Sequence, residues 1–288
     1  MPYPHSFRRA EPGPVLSALA ALLLFLTLAG VFVVLERSAA ASPSAPPAPP
    51  RVLSHGGHPS PALPQPPAAP LRPSPEPSPL PETPYDYGQP VSEGSAVDLS
   101  WFGDAAFIGD SRTEGLLLYT GVRPAGRLAC RGLNVHTART KAFVAAGEAR
   151  QTALEALESG TYSKIYLMLG INELGWESGQ RFYEHYSKLL ELVRKAQPAA
   201  QVYLQTLIPV TAAKSAEGTY TNARVQVYND LIRTLAREKE VYLLDIWSAF
   251  AGGDGALPAG ESSDGIHLFP RYYERWLTYL QTHTVSAP

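Results

Sequence analysis

The sequence predicts an α/β domain over residues 96–288, with a mainly parallel sheet covered by helices on both faces. Two observations predict it. Short apolar runs, each the length of a buried strand, recur through this region, and stretches of helical period fill the gaps between them. The runs are residues 105–108, 165–169, 202–207 and 241–244, with 127–130 a weaker candidate between the first two. Phe182, Tyr186, Leu189, Leu190 and Val193 step by three and four residues ahead of Pro198. Val225, Tyr228, Leu231, Ile232 and Leu235 do the same, as do Tyr272, Tyr273, Trp276 and Leu280 near the C-terminus. Each set marks one apolar helix face. Ligands of such sheets bind at the carboxyl ends of the strands, so the residues just after each run are the first to consider.

Upstream, residues 15–35 carry no charged side chain and are dominated by Leu, Ala, Val and Phe. At about 1.5 Å per residue this run spans the roughly 30 Å hydrocarbon core of a bilayer. Arg8 and Arg9 precede it with only Glu11 in opposition, while Glu36 and Arg37 cancel at the far end. The positive-inside bias predicts a cytoplasmic segment 1–13, a single membrane anchor at 14–36 and an extracytoplasmic remainder. A cleaved signal peptide is the alternative, with Ala39-Ala40-Ala41 as a small-residue cleavage site, although the run exceeds the usual apolar core of about 7–15 residues. Eighteen of the 28 prolines then lie between Pro43 and Pro90. Proline removes amide donors, and too little apolar surface remains to offset ordering entropy. Residues 37–95 therefore read as a disordered, extended stalk. His55 and His58 flank two glycines within it, with no Cys or carboxylate nearby, which is weak metal-binding chemistry.

Composition narrows the remaining possibilities. A formal net charge of −2 and a pI near 6.4 argue against a general polyanion binder, so no nucleic-acid partner is expected. Cys130 is the only cysteine, which excludes an intramolecular disulfide.

The residue with most chemical promise is Ser111, in Gly109-Asp110-Ser111 directly after the first apolar run. Thr113, Glu114 and the leucines at 116–118 predict a helix close behind it. A serine hydroxyl becomes a nucleophile when a base takes its proton and a carboxylate orients that base. Asp264 and His267, three residues apart around Gly265, are such a pair: the carboxylate can reach Nδ1 and leave Nε2 for Ser111. Taken alone, a serine here is a helix N-cap. The flanking sequence is not Gly-x-Ser-x-Gly, so no α/β-hydrolase nucleophile elbow is indicated. The Ser111 amide, near a helix N-terminus, can face a developing oxyanion. Gly132, after the weak second run, can add another amide, and Asn172, after the 165–169 run, can aim its side-chain amide at the same point. Both residue types are also ordinary turn formers.

Gly109-Asp110-Ser111, Gly132, Gly170-x-Asn172 and Asp264-x-x-His267 resemble, in order, the four blocks of the SGNH (GDSL-like) hydrolase superfamily, over about residues 101–280. The resemblance implies a flavodoxin-like three-layer α/β/α sandwich with five parallel strands. It implies Ser111 as nucleophile, His267 as general base and then acid, and Asp264 as its orienting carboxylate. The Ser111 and Gly132 amides and the Asn172 side chain would form the oxyanion hole. Two positions depart from the pattern: Arg112 stands where leucine often follows the serine, and Glu173 where aspartate often follows the asparagine.

The expected reaction is ester hydrolysis through an acyl-enzyme, with no metal or cofactor. An exported catalytic domain on a stalk meets cell-envelope glycans, so O-acetylated glycan is the expected substrate, with Trp176 placed to stack on a sugar. Lysophospholipid or other lipid esters, acetyl transfer to a second hydroxyl, and a non-catalytic envelope-binding module are the alternatives. Oligomeric state is not readable from the sequence.

Overall fold

The computed structural model describes residues 85–176 and 178–286. The expected anchor at 14–36, the stalk up to residue 84 and the His55/His58 pair lie outside the described residues. Among the described residues, no helix is long and apolar enough to cross a membrane.

In chain order the elements are β1 (Ala105–Gly109), α1 (Ser111–Tyr119), β2 (Gly126–Ala129), β3 (Val144–Ala146), β4 (Ala149–Gln151), α2 (Ala153–Ser159) and β5 (Lys164–Met168). There follow α3 (Gly179–Ala196), β6 (Gln201–Gln205), α4 (Ala212–Ala216), α5 (Asn222–Glu238), β7 (Tyr242–Leu244), α6 (Ile246–Phe250) and α7 (Tyr273–Thr282). Five strands form one parallel sheet in the order β2-β1-β5-β6-β7. This is the doubly wound order, in which the chain first steps outward from β1 and then returns to build on its other side. Helices flank the sheet: α1 packs on α7 and α7 on α6, while α3 packs on both α2 and α5.

The central strands read as continuous apolar runs because they are covered on both faces. Every residue of β1 and β5 is buried. Register is reinforced by aromatic side chains placed directly opposite one another: Phe107, Tyr166, Tyr203 and Tyr242 are successive partners across β1, β5, β6 and β7. Tyr166 stacks between Phe107 and Tyr203 with ring centroids 4.7 Å apart on either side. Aromatic cross-strand pairs of this kind contribute about 0.5–1.5 kcal/mol each beyond area burial.

The strands sit within one or two residues of their predicted places, and the exceptions have physical causes. Lys164 opens β5 although it is charged, because its ammonium pairs with Asp104 at 2.6 Å while its stem is buried. The run at 202–207 ends as a strand at Gln205; beyond it Thr206 donates its amide to Leu244 O and its hydroxyl to Asp245 at 3.0 Å. The antiparallel β3–β4 hairpin was not expected. Its strands are short and mostly exposed, so they carry no apolar alternation, and Gly147 at φ +62° makes the turn.

The expected stalk boundary at residue 95 is corrected by the structure. Val91 is buried in the core and donates its amide to Leu243 O, beside β7. Gly94 and Val97 donate to Thr282 O and Gln281 O at the end of α7. The proline content of the preceding tract hid a segment whose amides are paired along the sheet edge and α7.

Candidate active site

The sheet order brings three strand ends together. Gly109, the last residue of β1, pairs with Ala129 of β2 on one side and Met168 of β5 on the other. The segments that carry Ser111, Gly132 and Asn172 therefore leave adjacent strands at one edge of the sheet. Gly109 is required there: a Cβ would collide with the Thr113 side chain and come within 2.9 Å of Met168 O.

Asp110 begins α1. Its Oδ1 accepts the Arg112 amide at 2.8 Å, so the cap is the aspartate and Ser111 is the first helical residue. The Ser111 hydroxyl is thereby free of capping duty and lies 2.8 Å from His267 Nε2. On the far side of the ring, Nδ1 lies 2.6 Å from Asp264 Oδ2. The other Asp264 oxygen accepts the amides of Ile266 and His267 at 2.9 and 2.8 Å, and the Ser262 hydroxyl at 3.2 Å. Partial burial works against ionisation of Asp264, but the His267 hydrogen bond and these amides outweigh it and hold the carboxyl well below its usual range. Gly265 makes the loop possible. It sits at φ +81°, and a Cβ would lie 2.5 Å from Lys214 Cβ and 2.6 Å from Thr211 Oγ1.

This arrangement can take a proton from Ser111 into a ring whose tautomer is fixed by an ionised carboxylate. The segments after β1, β2 and β5 carry N–H groups with no partner among the described residues or with one hydrogen to spare, although Gly132 and Asn172 do not line the cavity that opens on Ser111. Among the described residues, the amides of Ser111 and Gly132 donate to no other protein group. Asn172 Nδ2 donates to Leu133 O at 2.9 Å, which ties the segment after β5 to the loop of Gly132 and leaves its second N–H.

Glu173, noted in the sequence only as a departure, is a structural part of this junction. Its Oε1 accepts the Val135 amide at 2.7 Å, and its carbonyl accepts the Tyr228 hydroxyl at 2.8 Å. Asn172 and Glu173 thus hold one loop at two points, Leu133 and Val135. Burial pushes the Glu173 carboxyl up to about 8, against the Val135 hydrogen bond and with the Asp110 charge adding to the rise. Asp110 is likewise raised by burial, to about 6, against the Arg112 cation and amide and the His267 ring.

A cavity of about 620 Å³ opens on Ser111 and His267, walled by Glu114, Tyr119, Arg131 and Tyr273 among others. Tyr119 and Leu118 of the lining are solvent-exposed, although sequence periodicity gives no hint that the outer face of α1 borders a cleft. Trp176 is not in this lining. It packs edge-on to His185, with ring centroids 5.6 Å apart, and beneath the Arg181 guanidinium. Among the described residues, no group of three or more His, Cys, Asp or Glu side chains is placed to hold a metal ion.

Residues 107–275 match the model of the GDSL-like Lipase/Acylhydrolase family. No curated protein matches the chain significantly. Among solved structures, a GDSL-like lipase from Parabacteroides merdae is 14% identical over 68% of this chain and 99% of its own, with a TM-score of 0.51. A protein from Streptococcus pneumonia described as a platelet activating factor is 22% identical over 62% of this chain and 81% of its own, with a TM-score of 0.49. An acetyl xylan esterase is 16% identical over 63% and 99%, with a TM-score of 0.45.

Proposed function

Because this chain belongs to the GDSL-like lipase/acylhydrolase family, whose members are serine hydrolases, we infer that it is an extracytoplasmic esterase removing O-acetyl groups from cell-envelope glycans through an acyl-enzyme on Ser111. The observation that carries the reading is the hydrogen-bonded relay Ser111 Oγ–His267 Nε2, 2.8 Å, and His267 Nδ1–Asp264 Oδ2, 2.6 Å.

In the first half-reaction the Ser111 oxygen attacks the ester carbonyl while His267 Nε2 takes its proton. Asp264 stabilises the imidazolium that forms. Negative charge on the former carbonyl oxygen is received by the Ser111 and Gly132 amides and the remaining Asn172 N–H. His267 then returns the proton to the leaving sugar oxygen. A water entering from the cavity gives its proton to His267 as it attacks the acyl carbon, and His267 passes that proton to the Ser111 oxygen as the acid departs.

The substrate class rests on the cleft and on the predicted tether. The cleft has Tyr119, Tyr273 and charged side chains on its walls beside Leu118 and Leu268, with Ser111 and His267 both on its lining. A long acyl chain favours a deep apolar channel, whereas a glycan favours polar walls with aromatic faces. The sequence of residues 14–36 supports single-pass anchoring and that of the following tract a stalk, which together would present the cleft to the envelope outside the cytoplasm. Acetate release from O-acetylated glycans, set against fatty-acid release from lysolipids, tests the reading. Acetate release lost in Ser111→Ala is the expected result. Fatty-acid release dominating would replace the glycan with a lipid, and a Ser111→Ala protein with the parent's activity would sink the nucleophile assignment.

A further inference from the structure

Arg112 directly follows Ser111 and is completely buried. Its guanidinium donates from Nε to Ile266 O at 3.1 Å and from Nη1 to Ile208 O at 2.8 Å, and among the described residues Nη2 has no partner. The hydrogen bonds of this cation thus end on peptide carbonyls. Burying an ion is expensive, and here the Asp110 carboxyl lies close enough for the two charges to favour one another. Beyond that charge, which a lysine also carries, the contribution specific to arginine at this position is the pair of directed bonds.

Those bonds have a definite topology. Ile266 immediately precedes His267, and Ile208 lies in the segment after β6. The same two segments are joined again where the Thr211 amide donates to Gly265 O at 3.0 Å. The Arg112 amide itself is held by Asp110 Oδ1, which fixes the start of α1. A closed circuit results: Ser111 is bonded covalently to Arg112, Arg112 donates to Ile266, Ile266 is bonded to His267, and His267 returns to the Ser111 hydroxyl at 2.8 Å. The circuit ties the segment of the base to the helix of the nucleophile.

We propose that Arg112 is a positioning residue for the ester chemistry, clamping the His267 loop to the helix that presents Ser111. The proposal rests on the assignment of Ser111 and His267 as nucleophile and base. A methionine or leucine at position 112 fills the same space but leaves the Ile266 and Ile208 carbonyls without this donor and the His267 loop free to shift. Displacement of a reacting group by about 1 Å costs up to roughly 10²-fold in rate.

The test compares the full chain with Arg112→Met, Arg112→Lys and Ser111→Ala. Hydrolysis of p-nitrophenyl acetate gives kcat and KM, thermal unfolding gives the folded fraction, and proton NMR of the substrate-free protein reads the His267 Nδ1–H resonance. Arg112→Met is expected to lose roughly 10–100-fold in kcat with KM nearly unchanged. Its Nδ1–H signal should broaden through exchange with water. Arg112→Lys, which keeps one donor, should recover part of both losses, and it carries the test if the methionine variant does not fold. Parent kcat and an unchanged resonance in the folded variants would overturn the proposal. So would lowered stability with parent kcat per folded molecule, or a rise in KM alone. If Ser111→Ala instead keeps the parent's turnover, the proposed function fails, while the NMR comparison still decides the role of Arg112.

Discussion

Asp110 caps helix α1 by accepting the Arg112 amide at 2.8 Å, and this relationship decides what the neighbouring serine does. With the cap supplied by the carboxylate, the Ser111 hydroxyl is left to His267. In Asp110→Ala the helix loses its side-chain cap, and Ser111 becomes the nearest side chain able to replace it. Loss of such a cap costs typically about 1 kcal/mol. Asp110→Ala should therefore lower the urea midpoint and also lower kcat per folded molecule, while Asp110→Asn, which keeps the acceptor, should retain more of both. An alanine variant with unchanged kcat would show that the cap has no bearing on the nucleophile.

Asp264 serves His267 through a ring hydrogen bond and serves the loop through two backbone amides. Asp264→Asn preserves one oxygen for the amides but turns its NH2, a donor, toward Nδ1, so the tautomer that leaves Nε2 free to accept a proton is no longer favoured. A fall in kcat on the order of 10⁴-fold is expected, together with a lower melting temperature at neutral pH, where the ionised carboxylate contributes its full stabilisation. Steady-state kinetics with a small acetyl ester, alongside thermal melts, measures both. A loss under tenfold would mean that the carboxylate merely braces the loop.

Glu173 gives a stability prediction whose sign can be worked out. Its folded value is raised from 4.5 to about 8, so between those values the folded state binds the proton more tightly than the unfolded chain. The associated stability is fully present below about pH 4.5 and is lost as pH rises toward 8. Asp110 acts in the same direction, but its window runs from 3.8 to about 6. Asp264, with a lowered value, acts oppositely and only under acid conditions. His185, lowered from 6.5 by burial and by the neighbouring Arg139 charge, also acts oppositely, so the slope should belong mainly to Glu173 between pH 6.5 and 8. Urea midpoints should drop across this interval in the parent and stay nearly level in Glu173→Gln, which keeps an acceptor for the Val135 amide. Equal slopes in the two proteins would remove Glu173 as the source.

The parts of the fold and site that were legible in the sequence are those written in short-range patterns. The apolar runs that became β1, β5, β6 and β7 are visible because both faces of each strand are covered, and α3 and α5 because one face of each is apolar. The Asp264–His267 pair is legible for the same reason, being three residues apart in one loop. What could not be read depends on pairing across long separations. Arg112 meets Ile266 across 154 residues, and Glu173 meets Val135 across 38. In the sequence both are simply charged residues at positions where other types are common. The segment at 85–95 was misread because proline content reports the unfolded tendency of a chain and says nothing about a free sheet edge waiting for its amides.

Asn172 offers the most direct measure of how the strand ends cooperate. One of its amide hydrogens is committed to Leu133 O, and the proposed function assigns the other to the developing oxyanion. Removing a single oxyanion donor typically costs about 10²–10³ in turnover. Asn172→Ala also releases the loop that carries Gly132, although Glu173 still holds that loop at Val135. The expected outcome is therefore a fall in kcat of about 10²–10³ with KM nearly constant. Combining it with Glu173→Ala should cost more than the product of the two separate losses, because only the double variant frees the loop at both points. A double-mutant cycle on kcat measures that excess. Strictly multiplicative losses would mean that the two side chains act independently, and that Asn172 works through its free N–H alone.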